Sequence, residues 1–360
     1  MTSIITRRRF KFGAGASAAA LPLIGGRAQA QAPLGVGFIY VGPVGDHGWT
    51  WTHDQGRKAL EKEYGAKVKT SFIEKVAEGP DAARAIRQLA QAGNQLIFTT
   101  SFGFMNPTIQ VAKQFPKIKF EHATGYQRAE NVATYDARFY EGRAVIGTIA
   151  GHMSKTGQAG YIASFPIPEV VMGINAFTLA ARKVNPNFKT KVIWASTWYD
   201  PAKEADAAKA LIDQGADIIT QHTDSAAALQ AAEQRGVFAF GQASDMKAFA
   251  PKAHLSAIVD DWSGYYIKRV KDVMDGTWKS GAVWGGIKDG FVKIAPFNDA
   301  VTPAARAAAE EVQKGIVAGT LHPFTGEIKD IKGEVRLKAG EKAPDEMLSK
   351  MDWYVEGVQA

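Results

Sequence analysis

The sequence contains no cysteine, which removes disulfide-stapled scaffolds, thiolate zinc sites, iron–sulfur ligation, cysteine nucleophiles and a lipidated N-terminal cysteine. No apolar run reaches the ~20 residues that a membrane-spanning helix needs. Several short signatures are missing too. The loops that follow candidate strands hold no Gly-x-Gly-x-x-Gly and no Gly-x-x-x-x-Gly-Lys-Ser/Thr, so neither a dinucleotide nor a P-loop phosphate site is indicated. No Gly-x-Ser-x-Gly elbow supports a serine hydrolase. His47 and His53 do not have the His-x-x-x-His spacing of a helical metal pair, and His122, His152, His222, His254 and His322 are scattered, so no metal or other cofactor is expected. What is present is ordinary: 360 residues, 46% hydrophobic and 22% charged. That composition excludes disordered and fibrous chains, and the length suits about two domains of roughly 150 residues.

The formal charge of +7 is unevenly placed. Residues 1–30 hold Arg7, Arg8, Arg9, Lys11 and Arg27 with no Asp or Glu, so they carry +5 and leave +2 for the rest. The basicity therefore gives no argument for a nucleic-acid partner. The same segment has the three parts of an export signal: a basic start, the small and apolar stretch Phe12 to Ile24, and the small-residue site Ala28-Gln29-Ala30. Cleavage after Ala30 and a mature protein free in the periplasm are expected. The run Thr6-Arg7-Arg8-Arg9-Phe10-Lys11 fits a twin-arginine address; the alternative is a general secretory signal rich in arginine.

From Leu34 onward, short apolar runs alternate with helical periodicity. Strands are expected at 34–41, 68–76, 95–101 and 119–124, with helices at 50–64, 80–92 and 108–114 between them. This order predicts a doubly wound, largely parallel sheet. After a helix over 141–154 the theme restarts, with strands at 160–164, 191–195, 216–221 and 237–241 and helices at 168–184, 201–214 and 225–235. A strand at 254–259 is read as the return to the first lobe. It is followed by an amphipathic helix over 262–274 with Tyr266, Val270 and Val273 on one side, and by a strand-like stretch from Val283 to Pro296. An Ala-rich helix over 303–317 precedes a tail with no clear pattern. The expected organisation is an α/β protein of two lobes, residues 33–134 plus 258–284 and residues 135–257 plus 285–322, with a C-terminal extension over 323–360. In open α/β sheets, ligands bind beyond the carboxyl ends of the strands. Two facing lobes make one cleft that can close on a small molecule.

Aromatic residues mark those strand ends. Trp49 and Trp51 follow the first strand, Phe102 and Phe104 the third, Phe165 the first strand of the second lobe, and Trp198 and Tyr199 its second; Trp262 comes just after the strand at 254–259. Such residues can complete a core, but a flat π-face at a cleft mouth also suits a flat heterocycle, worth roughly 0.5–1.5 kcal/mol beyond area burial. Polar residues share these loops: Asn106, Asp200, Asp245, Asp260 and Asp261. Asp200, just ahead of Pro201, reads as a helix cap, whereas Asp245 has no evident cap role. The pair Asp260/Asp261 is discounted as acid–base machinery because adjacent residues point apart.

The segments Gly45-Asp46-His47-Gly48-Trp49-Thr50, Thr99 to Asn106 (TTSFGFMN), Asn131 to Tyr135 (NVATY), Val192 to Pro201 (VIWASTWYDP), Gly215 to His222 (GADIITQH) and Ala243-Ser244-Asp245 together resemble the basic membrane protein family of ABC-transporter substrate-binding proteins. The similarity runs from about Leu34 to Pro323. It implies the type I periplasmic-binding-protein fold, a purine nucleoside or related ligand, an ABC permease in the inner membrane as partner, and a monomer without a reaction of its own. The family's aromatic sandwich maps onto Trp49 and Phe165. Asn106 stands where a ribose-binding carboxylate is found, and Asp245 matches a late aspartate. Asp260-Asp261-Trp262 stands where a lysine is frequent. A lost carboxylate and an added Trp imply a smaller cleft, hence a bare purine base such as adenine, with a nucleoside or another heterocycle as the alternative. The expected ligand-binding set is Trp49, Thr50, Phe102, Asn106, Phe165, Trp198, Asp245, Asp260 and Trp262. A nucleoside hydrolase is the rival from another class; it requires an Asp-rich loop for a divalent ion, and residues 42–53 supply only Asp46.

Overall fold

The computed structural model describes residues 32–360; the expected export signal lies outside the described residues. In the first lobe the chain runs β1 (Leu34–Ile39), α1 (Gly48–Tyr64), β2 (Val68–Ile73), α2 (Pro80–Gln91), β3 (Leu96–Thr99), α3 (Met105–Ala112), β4 (Lys119–Ala123) and β5 (Val132–Ala137). It then enters the second lobe with α4 (Phe139–Met153), β6 (Gln158–Ala163), α5 (Pro168–Val184), β7 (Lys189–Trp194), α6 (Pro201–Asp213), β8 (Ile218–Gln221), α7 (Ala227–Gln234), β9 (Phe238–Gly241) and β10 (His254–Asp260). Next come α8 (Ser263–Met274), β11 (Ala282–Gly285), β12 (Val292–Ile294), α9 (Pro303–Ala318), β13 (Ile328–Lys329), β14 (Val335–Leu337), α10 (Asp345–Leu348) and β15 (Val358–Gln359).

Two large sheets organise these elements. The first has the order β11-β5-β4-β3-β1-β2 and is parallel throughout. The second has the order β12-β10-β9-β8-β6-β7-β15, with β12 antiparallel to β10. Their central strands are buried along their whole length, as expected when helices cover both faces of a parallel sheet. The helix starts follow from local chemistry. Pro168, Pro201 and Pro303 each open a helix, where a fixed φ suits the first turn and the missing N–H costs nothing. Asp200 accepts a hydrogen bond from the Lys203 amide at 3.1 Å, so it caps α6 as its sequence position suggested.

The chain crosses between lobes three times, after β5, after β10 and after β11. Three sequence readings change here. The strand at 254–259 does not return to the first lobe: it pairs with β9 and β12 in the second sheet, and the crossing comes immediately after Asp260. The stretch from Val283 to Pro296 is two short strands in different sheets, β11 beside β5 and β12 beside β10. The fifth strand of the first sheet, β5, was not counted from sequence at all. The tail is part of the second lobe. Phe324, Leu348, Met351, Val355 and Val358 are buried in its core, β15 adds a parallel strand beside β7, and Asn175 of α5 donates to the Trp353 carbonyl at 2.8 Å and accepts from the Val355 amide at 3.0 Å.

Candidate functional site

The carboxyl ends of both sheets face one cavity of about 720 Å³, inside the ~300–1,000 Å³ range of small-molecule sites. Five phenyl, phenol or indole side chains line it: Trp49 and Phe102 from the first lobe, Phe165, Trp198 and Tyr199 from the second. Three of them are held by defined contacts. The Trp49 indole N–H donates to the Thr100 carbonyl at 2.7 Å, and the Phe165 and Trp198 rings meet at 5.1 Å between centroids. The Trp198 indole N–H reaches across to Glu78 Oε1 at 3.2 Å, an oxygen that also accepts from the Ser101 hydroxyl at 2.6 Å and the Gly103 amide at 2.9 Å. Glu78 thus ties the two lobes together on one side of the cavity.

A second tie sits at the amino end of α1. The Gly48 amide donates to Ser244 Oγ at 2.8 Å, and the Trp49 amide donates to Asp224 Oδ1. A carboxyl group at a helix N-terminus meets both unpaired amides and the positive end of the helix dipole. Burial nevertheless pushes the Asp224 carboxyl up to about 7, against the pull of the Trp49 amide.

Beneath the aromatics lies a polar floor. Glu169, the second residue of α5, lies 3.1 Å from His222 Nε2, and both line the cavity. Burial raises the Glu169 carboxyl to about 8 and lowers the His222 ring to about 3, so at neutral pH this is a hydrogen bond between two uncharged groups rather than an ion pair. Arg143 of α4 is fully buried below them. It donates to Thr220 Oγ1 at 3.0 Å, to the Gln221 carbonyl at 2.7 Å and to Gln242 Oε1. Since a guanidinium only donates, it fixes the Gln242 amide with its oxygen toward Arg143, leaving the Nε2 donor for the cavity that Gln242 lines. The non-glycine residues with positive φ among the described residues are Lys75, Thr124, Ser196 and Ala243; the first three line the cavity and the fourth follows Gln242. Such backbone strain gathers at ligand sites because the surrounding structure must hold it there.

The sequence model of the family described as ABC transporter substrate-binding protein, PnrA-like (Bmp), matches residues 34–321. The chain belongs to this family. A purine-binding protein of Brucella abortus is 60% identical over 336 residues, covering 93% of this chain and 96% of that protein. Among solved structures, an ABC transporter solute-binding protein from Aeropyrum pernix superposes with a TM-score of 0.69 at 19% identity, covering 88% of this chain and 97% of that one. A transcriptional activator of the comK gene from Bacillus halodurans superposes at 0.68 with 23% identity, covering 80% and 99%. At these identities the structures show the fold alone: two α/β lobes of the type I periplasmic-binding-protein class. This protein is accordingly a substrate-binding protein of the Bmp family.

Of the residues expected from sequence, Trp49, Phe102, Phe165 and Trp198 line the cavity of this Bmp-family protein, and five do not. Thr50 is fully buried and accepts from the Gly42 amide at 3.3 Å, which shapes the loop behind Trp49. Asn106 is exposed on α3 and accepts from Gln127 Nε2 at 3.1 Å. Asp245 is exposed and accepts from the Lys247 amide at 3.0 Å, a local turn bond. Asp260 is 3% exposed below the floor with no hydrogen-bond partner on either oxygen, and burial raises its carboxyl well above the usual range. Trp262 is fully buried in the first lobe, its ring stacked on His53 at 4.7 Å. The small-cleft expectation rested on Asn106 and Trp262; neither shapes the cavity, so its basis falls away. Glu78, Glu169, His222, Asp224 and Gln242 were missed. All five come from strand-end loops or the helix turns that follow them, so the strand-end rule covers them.

Proposed function

We propose that this protein is the periplasmic receptor of an ABC importer and binds a purine nucleobase, adenine or a close analogue, between aromatic side chains in the interlobe cavity. The observation that carries this reading is the arrangement of Trp49 and Phe102 opposite Phe165 and Trp198 around one cavity, a set of π-faces that fits a flat heterocycle. The purine-binding relative from Brucella abortus, 60% identical, supports the same ligand class. Offset stacking supplies affinity, while Glu169 and Gln242 on the floor supply direction, because a polar edge mispaired in a dry cleft is costly. Binding would draw the lobes together through the Glu78–Trp198 and α1–Asp224 ties, and the closed form would dock on the permease.

The cavity volume favours a second reading, a purine nucleoside, since 720 Å³ leaves room beside a bare base. Isothermal titration with adenine, adenosine and guanosine separates the two. Binding of an adenine-containing ligand is expected; tighter adenine binding assigns the site to the base, tighter adenosine binding moves the assignment to the nucleoside, and no heat with any purine removes both. Export through the Ala28-Gln29-Ala30 site belongs to the same reading. N-terminal sequencing of the protein released by osmotic shock is expected to begin at Gln31, and an intact Met1 would count against it.

A further inference from the structure

Glu169 stands in unusual company. The groups facing it are Arg143 of α4, Tyr161 of β6, His222 after β8, Asp136 in β5 and Asp260 at the end of β10, and Asp260 in turn feels Asp224. Four carboxyl groups therefore share a mostly buried floor with a single guanidinium, and that guanidinium spends its hydrogen bonds on Thr220, Gln221 and Gln242 rather than on any of the four. Charges so placed cannot all be ionised, because each added negative charge is desolvated and repelled by its neighbours. Glu169 differs from Asp136 and Asp260 in lining the cavity. One of its oxygens meets His222 Nε2; the other has no hydrogen-bond partner among the described residues.

We propose that Glu169 is the specificity-determining residue of this site, presenting a hydroxyl donor and a carbonyl acceptor side by side to the hydrogen-bonding edge of the purine. This rests on the purine reading given above and says which group discriminates. A carboxylic acid complements an edge that pairs one donor with one acceptor. Adenine offers such an edge through its 6-amino group and an adjacent ring nitrogen, and hypoxanthine through N1–H and O6. An ionised carboxylate has only acceptors and would meet the ring nitrogen lone pair of adenine with a lone pair of its own. Burial holds the Glu169 carboxyl at about 8, which keeps the acid form at neutral pH. His222, neutral down to about 3, donates its Nε2–H to one oxygen and so sets the rotamer. Gln242 adds a donor fixed by Arg143, and its role does not change with pH.

The sign of the pH dependence follows. The binding-competent state is the protonated one, so affinity is retained below about 8 and lost as pH rises through that value, by about tenfold per unit beyond it. The test is a titration of adenine from pH ~6 to ~9 against the unaltered protein, Glu169→Gln and Glu169→Ala, with melting curves of each. Glutamine keeps one donor and one acceptor, so Glu169→Gln is expected to bind adenine with a flat pH profile, and Glu169→Ala to bind on the order of tenfold more weakly. With 6-dimethylaminopurine, which lacks the amino N–H, the unaltered protein is expected to show the same loss and Glu169→Ala no further loss, the mark of a shared contact. Unaltered protein that binds adenine with constant affinity across the pH range would overturn the role of Glu169 while leaving the purine reading in place; so would full affinity in Glu169→Ala. Absence of purine binding by the unaltered protein overturns both. The profile of the unaltered protein needs no variant to fold, so it decides even if a substitution is poorly tolerated.

Discussion

At the scale of single residues, Gly48 shows how the lack of a side chain lets one lobe approach the other. Its φ is +83°, and a Cβ there would lie 2.3 Å from Asp224 Oδ1. The first amide groups of α1 can therefore reach the second lobe only because this position carries no side chain. Alanine would meet both obstacles, left-handed backbone strain costing roughly 1 kcal/mol and a collision with the carboxyl group that receives the helix. Gly48→Ala is expected to weaken ligand binding about tenfold and to leave the liganded protein with a larger radius of gyration in small-angle scattering. Unchanged affinity and an unchanged radius would show that the α1–Asp224 contact does not govern closure. The glycine was visible in the sequence within Gly45-Asp46-His47-Gly48-Trp49. Its partner was not, because Asp224 lies 176 positions away and nothing local marks it as the acceptor for a distant helix.

At the scale of elements, α8 is the best-read part of the chain. The periodicity that placed Tyr266, Val270 and Val273 on one face is met by the burial of Tyr266 and Val270 and by the packing of Val273 against the first-lobe core. What pins this helix is polar. Arg269 Nε donates to Glu121 Oε1 of β4 at 2.6 Å, the Trp278 indole donates to the same oxygen at 2.6 Å, and the Tyr265 hydroxyl donates to Oε2 at 2.7 Å. Glu121 is fully buried. Replacing Arg269 by Met would leave a buried carboxylate without its countercharge, with an expected loss of about 3–5 kcal/mol measurable by guanidinium unfolding; Glu121→Gln in the same background should recover part of it by removing the stranded charge. The period-3.6 pattern identifies a helix and its apolar side, but it does not say which sheet a neighbouring strand joins. That limit explains β10, which is hydrophobic enough for either lobe and whose pairing is fixed by β9 and β12 through backbone hydrogen bonds.

At the scale of the whole molecule, the alternation of apolar strand runs with amphipathic helices was enough to establish two doubly wound lobes and a cleft at the strand ends, since both follow from period and connection handedness. The cavity-lining aromatics Trp49, Phe102, Phe165, Trp198 and Tyr199 were legible for the same reason: each follows a strand that the pattern had located. The C-terminal extension was not legible. Its strands are two or three residues long, too short for a period to show; β13 and β14 pair with each other and β15 takes its partner from β7. Asp345 of this tail forms a two-pronged ion pair with Arg138 at the first crossing, at 2.8 and 2.6 Å, and the Arg138 guanidinium lies 4.3 Å from the Trp284 ring of β11, beside the third crossing. The sequence by itself determined the element types, the two-lobe plan and the aromatic character of the cleft, because these depend on neighbours within one turn or one strand. Only the tertiary structure decided that Trp262 is core, that Asn106 and Asp245 face away, and that Glu169, His222, Asp224 and Gln242 form the floor. Burial and charge crowding arise between residues far apart in the chain, and they set both the protonation state of a carboxyl group and the direction in which it points.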